Sequence, residues 1–198
     1  MIWGIILAAG ASRRMGAPKA LLDYRGETFL DRLIRVVGIV AEPLVVLGYR
    51  AEVVQAGSKN PAKFVVNPDP RRGQLSSLQT ALAAAPTDFE GFLFIPVDCP
   101  AVAEETVRRL AAAFARRDPA TLFVIPRCGQ GRGQKRGHPV FAAPPIAREI
   151  LALPPTDQAR DVVHRHVPDT LYVDVDDAGI LADIDDPAAY RQLIEAAL

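Results

Sequence analysis

The sequence predicts an α/β protein: a three-layer α/β/α sandwich around a Rossmann-like, mostly parallel sheet. Three observations carry this. Short aliphatic runs at residues 2–7, 44–47, 64–66, 92–97 and 121–125 lack polar alternation, as expected of strands covered on both faces. Stretches with helical apolar spacing alternate with them, which implies right-handed crossovers between parallel strands. The 198-residue length suits one domain (residues 1–198), large enough to bury roughly 70% of its unfolded surface without disulfides or metal staples.

In chain order, the first run extends from Ile2 to Ala9 and ends at Gly10. It has no basic flank and is too short to cross a bilayer, so it reads as a strand and not as a leader. Leu30, Leu33, Ile34 and Val37 keep i, i+3, i+4, i+7 spacing, as do Val107, Leu110, Ala111 and Phe114. Leu75, Leu78 and Leu82 carry the same stripe through Ala85. A last helix shows it at Tyr190, Leu193, Ile194 and Ala197, with Asp186 as N-cap and Pro187 in the first turn. These stripes are core-facing. Residues 127–137, rich in Gly and basic side chains, are expected to form a mobile loop.

Composition excludes several classes. Lys+Arg and Asp+Glu balance at 23 each, so no global charge argues for nucleic acid or an anionic membrane as partner. The two cysteines, Cys99 and Cys128, match no zinc or CxxC spacing and are expected as free thiols in the cytoplasm. Cys99 lacks a partner that would make it a nucleophile. His164 and His166 lack metal-ligand partners and read as helix-surface residues.

Most of the chemistry-bearing residues lie where strands of such a sheet end, the edge at which ligands bind. After the first strand, the small residues Ala8, Ala9, Gly10 and Ala11 let backbone N–H groups approach an anion, and Arg14 and Lys19 supply cations. The loop is neither a Walker A sequence nor a GxGxxG fingerprint, which weighs against a dinucleotide-dependent oxidoreductase. On residue chemistry alone, it is either an anion cradle or a solvated turn. Asp98 follows the apolar run 92–97 and either ligates a cation or caps the next helix. Asp174, Asp176, Asp177, Asp183, Asp185 and Asp186 form an acidic run that is either a solvated face with a cap or a source of a further ligand. Ser76 and Ser77 either offer polar groups to a ligand or cap their helix. His138 either meets a ligand or orients its loop. Arg127, Arg132, Lys135 and Arg136 are either an anion clamp or solubilising charge.

The spacing Leu-Ala-Ala-Gly-x-Ser-x-Arg-Met-Gly-x-Pro-Lys over residues 7–19 resembles the signature of the MobA-like NTP transferase family. Within it, the chain most resembles the molybdenum-cofactor nucleotidyltransferases, and especially their cytidylyltransferase branch. Further motifs follow in order: Leu21-Leu22 and Gly26, Asn67 with Gly73-Gln74-Leu75-Ser76-Ser77-Leu78, Pro96-Val97-Asp98-Cys99-Pro100, Gly137-His138-Pro139-Val140-Phe141 and Asp183-Ile184-Asp185-Asp186-Pro187. The resemblance implies the nucleotide-diphospho-sugar transferase type of fold and Mg²⁺-dependent transfer of a nucleoside monophosphate, CMP from CTP, to a phosphorylated acceptor such as molybdopterin. Leu7, Ala8, Ala9, Gly10, Ser12, Arg14, Lys19, Asn67, Ser76 and Ser77 are then expected to bind the nucleotide. Arg14, Lys19 and Asp98 are expected to serve catalysis, Asp98 and Asp185 the metal, and His138 and Arg136 the acceptor. A molybdoenzyme chaperone or target is the expected protein partner. The chain departs from the branch on the acceptor side, where residues 127–136 lengthen a short linker. Thr156-Asp157-Gln158-Ala159-Arg160 also stands where the branch has Gly-Asp-x-Gly-Ala-Arg. Guanylyl transfer, a sugar-phosphate or phospho-acid acceptor, and a non-catalytic nucleotide-binding role are the alternatives.

Overall fold

The computed structural model describes residues 1–196, the side chain of Arg132 excepted. Ala197, expected to extend the last helical stripe, lies outside the described residues. The elements run β1 (Ile2–Ala8), β2 (Asp23–Tyr24), β3 (Glu27–Thr28), α1 (Phe29–Gly38), β4 (Glu42–Leu47), α2 (Ala51–Gly57), β5 (Lys63–Val66) and α3 (Gln74–Ala84). They continue with β6 (Gly91–Pro96), α4 (Glu104–Ala115), β7 (Phe123–Cys128), β8 (Lys135–Arg136), β9 (Val140–Ala142), α5 (Pro144–Ala152), α6 (Ala159–Arg165), β10 (Thr170–Asp174) and α7 (Pro187–Glu195).

The main sheet has the order β10-β7-β9-β6-β1-β4-β5, with β8 paired to β7. Strands β1, β4, β5, β6, β7 and β10 pair in parallel, and β9 runs antiparallel between β6 and β7. The sheet is sandwiched between two apolar layers, which explains the missing polar alternation. Ile6 and Ala8 of β1 pack on the face that α1 and α4 cover, while Trp3, Ile5 and Leu7 pack on the face under α3 and α5. The helical stripes are buried as their spacing predicts: Leu30, Leu33, Ile34 and Val37 on α1, and Val107, Leu110 and Phe114 on α4. Asp186 caps α7, accepting from the N–H groups of Ala188 and Ala189 (2.9 Å each).

Two readings are corrected by the fold. The loop expected at residues 127–137 contains strand at both ends: β7 continues to Cys128, and β8 returns antiparallel on it, with Arg127 opposite Arg136. The strand expected over residues 121–125 is thus found at Phe123–Cys128. In the structure Pro126 stays in β7, facing Val173 of β10. His166 is also not a free helix-surface residue. Its ring lies 2.7 Å from Glu149 and 3.1 Å from Asp169, bridging α5 to the turn before β10.

The strand order sets the position of the site. From β1 the chain proceeds through β4 and β5 to one side, and β6 then lies on the other side of β1. This reversal opens a crevice beyond the C-terminal ends of β1 and β6, the place where open α/β sheets bind ligands.

Candidate active site

The loop leaving β1 forms one wall of that crevice. Ser12 adopts a left-handed backbone (φ 50°), and its Oγ accepts from the Lys19 N–H at 2.9 Å. This closes the loop on itself and fixes the Lys19 backbone. The loop lies close against the exit of β4: a Cβ on Gly48 would stand 2.6 Å from the Ala9 carbonyl oxygen. At Gly10 and Gly73, by contrast, a Cβ would meet nothing within 4 Å, so the backbone there faces open space. A cavity of about 190 Å³ lies between Leu7, Ala9 and Gly10 on one side and Gly73, Gln74 and Ser77 on the other, with Asp98 at its end. A second, of about 110 Å³, runs along Ala8, Ser12 and Lys19 to Asp98.

Asp98 stands just past β6, and the segment before α7 is brought to it by backbone packing. The Ile184 N–H donates to the Asp98 carbonyl (3.0 Å), and the His138 N–H donates to the Ile180 carbonyl (3.1 Å). Ile180 and Ile184 are buried. Two glycines permit the approach: a Cβ on Gly137 would stand 2.0 Å from the Ile180 carbonyl oxygen, and one on Gly179 2.3 Å from that of Ala101. Asp177 locks the segment from below, accepting from Ala103 N–H (2.9 Å), Thr106 Oγ1 (2.6 Å) and Gly179 N–H (2.9 Å).

The result is a cluster of carboxylates. One ligand oxygen from each of Asp98, Asp183 and Asp185 lies within 4.8 Å of the other two. Lys19 Nζ sits among them, 2.5 Å from Asp185 Oδ1 and 3.4 Å from Asp98 Oδ2. Arg14 Nη2 approaches Asp185 at 3.7 Å. Burial raises the Asp98 carboxyl above the usual range, with Lys19 opposing it. Asp183 is raised by burial and by the negative charges of Asp98 and Asp185. The hydrogen bond from Lys19 holds Asp185 below that range. Hard oxygen donors converging in this way suit Mg²⁺ or Mn²⁺.

The acidic run is thus divided by role. Asp186 is the cap, Asp177 the lock, Asp174 the partner of Arg127 (2.5 and 3.1 Å), and Asp183 and Asp185 join Asp98. Asp183 was not singled out from the sequence. Its signal is the alternation Asp183-Ile184-Asp185, which in an extended segment turns both carboxylates to one side when the isoleucine is buried. Arg127 is thus engaged by Asp174 at the surface. Arg136 and His138 do share a cavity of about 350 Å³ with Asp98, Asp183 and Gln74. The His138 imidazole is partly buried there and held neutral, its pKa lowered to about 4 by desolvation.

Asn67, Ser76 and Ser77 are brought together, but not as three free ligand groups. Asn67 is buried and its amide donates to Ser76 Oγ (2.9 Å) and Ser77 Oγ (3.0 Å), while its oxygen accepts from Asp69 N–H. Ser76 Oγ donates to the Gly73 carbonyl (2.8 Å). Neither serine caps α3, whose N-cap is Gly73. Of the three, Ser77 lines the cavity beside Gly10, whereas Asn67 and Ser76 line a separate cavity on the other side of α3. Asn67 thus ties its amide to both serines and holds Ser77 in place. Gln74, which lines the crevice on both the Gly10 and the His138 side, carried no individual signal in the sequence.

A crevice at the sheet's reversal point, a small-residue loop with a lysine, and facing carboxylates define a nucleotidyltransferase of the α/β type. The chain belongs to the family of the MobA-like NTP transferase domain, whose model matches residues 4–170. The molybdenum cofactor cytidylyltransferase of Escherichia coli K12 is 28% identical over 92% of this chain and 90% of its own. A probable molybdenum cofactor guanylyltransferase of Rhodopirellula baltica is 33% identical over 73% of this chain and 68% of its own. A relative from Paenarthrobacter nicotinovorans bearing another name, nicotine blue oxidoreductase, is 36% identical over 70% and 69%. Among solved structures, Rv0371c of Mycobacterium tuberculosis H37Rv superposes with a TM-score of 0.83 at 31% identity, covering 98% of this chain and 97% of its own. Its manganese complex superposes at 0.78 and 28% identity, covering 98% of each chain.

Proposed function

We propose that this enzyme transfers CMP from CTP to a phosphorylated acceptor of the molybdopterin type, with Mg²⁺, in the cytoplasm. The observation that carries the reading is the meeting of Asp98, Asp183 and Asp185 with Lys19 at the mouth of a small-residue loop. Asp98 and Asp185, with Asp183 beside them, would hold the divalent ion, which when bound supplies Lewis-acid charge on phosphate oxygens. The manganese complex of the structural relative supports a divalent ion, and the oxygen donors suit magnesium equally.

The chain's own residues account for the rest. Backbone groups from Leu7 through Ala8, Ala9 and Gly10 to Ser12 line the nucleotide, and Ser77 meets its ribose or base edge. An acceptor phosphate oxygen attacks the α-phosphorus, forming the new P–O bond, while the α–β P–O bond breaks and its electron pair leaves with pyrophosphate. Arg14 and Lys19 stabilise the charge on that leaving group. The acceptor phosphate is already ionised at neutral pH, so no general base is needed. His138 stays neutral and donates or accepts a hydrogen bond without adding charge, and Arg136 offers a cation to the acceptor's far side.

CTP is preferred over GTP in this reading because the chain aligns over almost its whole length with a named cytidylyltransferase, and its own Gly-Gln-Leu-Ser-Ser-Leu run resembles that branch. The relatives named guanylyltransferase supply the alternative base. Release of pyrophosphate with equal CTP, GTP, UTP and ATP, with molybdopterin or a sugar phosphate as acceptor, decides base and acceptor together. Preference for GTP moves the base assignment alone. A molybdoenzyme or its chaperone is the proposed receiver of the product. The second reading, a reductase, rests on the relative named nicotine blue oxidoreductase. Oxidation of NADH or NADPH by the purified protein, unaffected by Asp98→Asn, would favour it.

A further inference from the structure

The position of Lys19 has a consequence beyond phosphate binding. Its ammonium lies between the carboxylates of Asp98 and Asp185, with its side chain only 13% exposed. A divalent ion held by Asp98 and Asp185 would need the same carboxylate oxygens that the ammonium now contacts. The two cations therefore compete for the same negative charge. The Lys19 backbone is fixed by its N–H bond to Ser12 Oγ, so displacement falls to the flexible four-carbon side chain. The loop cavity beside it leads along Ser12 and Ala8 to Gly10, the path a polyphosphate would follow. Arg14, by contrast, is mostly exposed and touches Asp185 only at 3.7 Å, so it does not block the carboxylates.

We infer that Lys19 keeps the metal position closed in the free enzyme, and that it opens only when nucleotide phosphates draw the ammonium away. Ion and nucleotide then enter as one complex. Free metal is held only weakly by the carboxylates beforehand, and Lys19 moves from neutralising acids to neutralising the triphosphate. The inference rests on the divalent-metal reading above.

The test is Mn²⁺ binding to the purified protein without nucleotide, followed by the electron-paramagnetic signal of free Mn²⁺. Lys19→Met keeps the side-chain volume and removes the charge. It is expected to bind Mn²⁺ about ten-fold tighter than wild type, within the usual range for coupled sites. Lys19→Arg, which keeps the charge, is expected to stay weak. Addition of CTP should tighten Mn²⁺ strongly in wild type and much less in Lys19→Met, because the lysine no longer needs displacing. The same contrast should appear as a larger rise in melting temperature with Mn²⁺ for Lys19→Met, a readout independent of turnover. Equal or weaker Mn²⁺ binding by Lys19→Met overturns the inference. Asp98→Asn separates that failure from failure of the metal reading. If wild type with CTP binds Mn²⁺ and Asp98→Asn does not, the metal site stands and only the lysine's role falls. If Asp98→Asn binds as wild type does, both fall.

Discussion

Asp177→Ala tests whether the carboxylate cluster depends on a residue that never touches it. Asp177 accepts three hydrogen bonds, from Ala103 N–H, Thr106 Oγ1 and Gly179 N–H, at 2.6–2.9 Å. Thr106 is 4% exposed, so its hydroxyl loses its acceptor in a place water reaches poorly. Leaving one buried donor unpaired costs about 1–3 kcal/mol, and two further bonds to a carboxylate are lost with it. These losses are not additive, and about 3 kcal/mol for the whole substitution is expected. For a chain of this size each kcal/mol lowers the melting temperature by about 2–4 °C, so a fall of about 6–12 °C should be seen by circular dichroism. The damage should also reach function. The same segment carries Ile180, which accepts from His138, and Ile184, which donates to Asp98. The divalent-ion concentration for half-maximal activity should therefore rise at temperatures where the protein remains folded. A Thr106→Val background should blunt the Asp177→Ala penalty, since the stranded hydroxyl is then gone. A melting shift under about 2 °C, or full additivity with Thr106→Val, would refute the assignment of Asp177 as the lock.

Other consequences can be tested singly. Asp98→Ala should abolish nucleotidyl transfer while leaving the circular dichroism spectrum and melting temperature near wild type; normal turnover in the folded variant would sink its assignment. Gly137→Ala places a Cβ 2.0 Å from the Ile180 carbonyl oxygen and should cost about 1–3 kcal/mol as overpacking. Gly133→Ala, where a Cβ meets nothing within 4 Å, should be silent, and equal denaturant midpoints for the two would contradict the packing argument. His166 is partly desolvated, but hydrogen bonds to Glu149 and Asp169 win and raise its pKa above 6.5. A raised folded pKa means that the His166 contribution is complete below the unfolded value near 6.5 and fades as pH rises through the folded one. Wild type should therefore lose stability relative to His166→Gln across that window, and parallel melting curves against pH would rule this out.

How much was legible beforehand varied from residue to residue. Asp186 and Pro187 were readable as a helix start because capping is local: the carboxylate bonds N–H groups two and three residues on. The continuous apolar runs announced a sheet covered on both faces, since burial on two sides removes the need for alternation. The spacing from Leu7 to Lys19 and the later motifs pointed to the family that the model over residues 4–170 confirms. Strand β10, with its half-exposed residues, was hidden beside the acidic run, and β7 runs on past Ile125 through Pro126, where only pairing with β10 keeps the chain in the sheet.

What the sequence determined by itself was therefore whatever depends on neighbours in the chain: the alternation of elements, the caps, the small-residue loop and the inventory of acids. Only the tertiary structure decided which acids matter together. Asp98 and Asp185 are 87 positions apart, and the local alternation Asp183-Ile184-Asp185 can put two carboxylates on one side but cannot bring them to Asp98. That choice is made by backbone contacts between distant segments, namely Ile184 on Asp98, His138 on Ile180, and two glycines that let carbonyls approach where a side chain would not fit. It was likewise packing that tied Asn67 to Ser76 and Ser77 and placed Lys19 between carboxylates. A side chain's type limits the partners it can take, but the burial and distance that select among them exist only once the chain has folded.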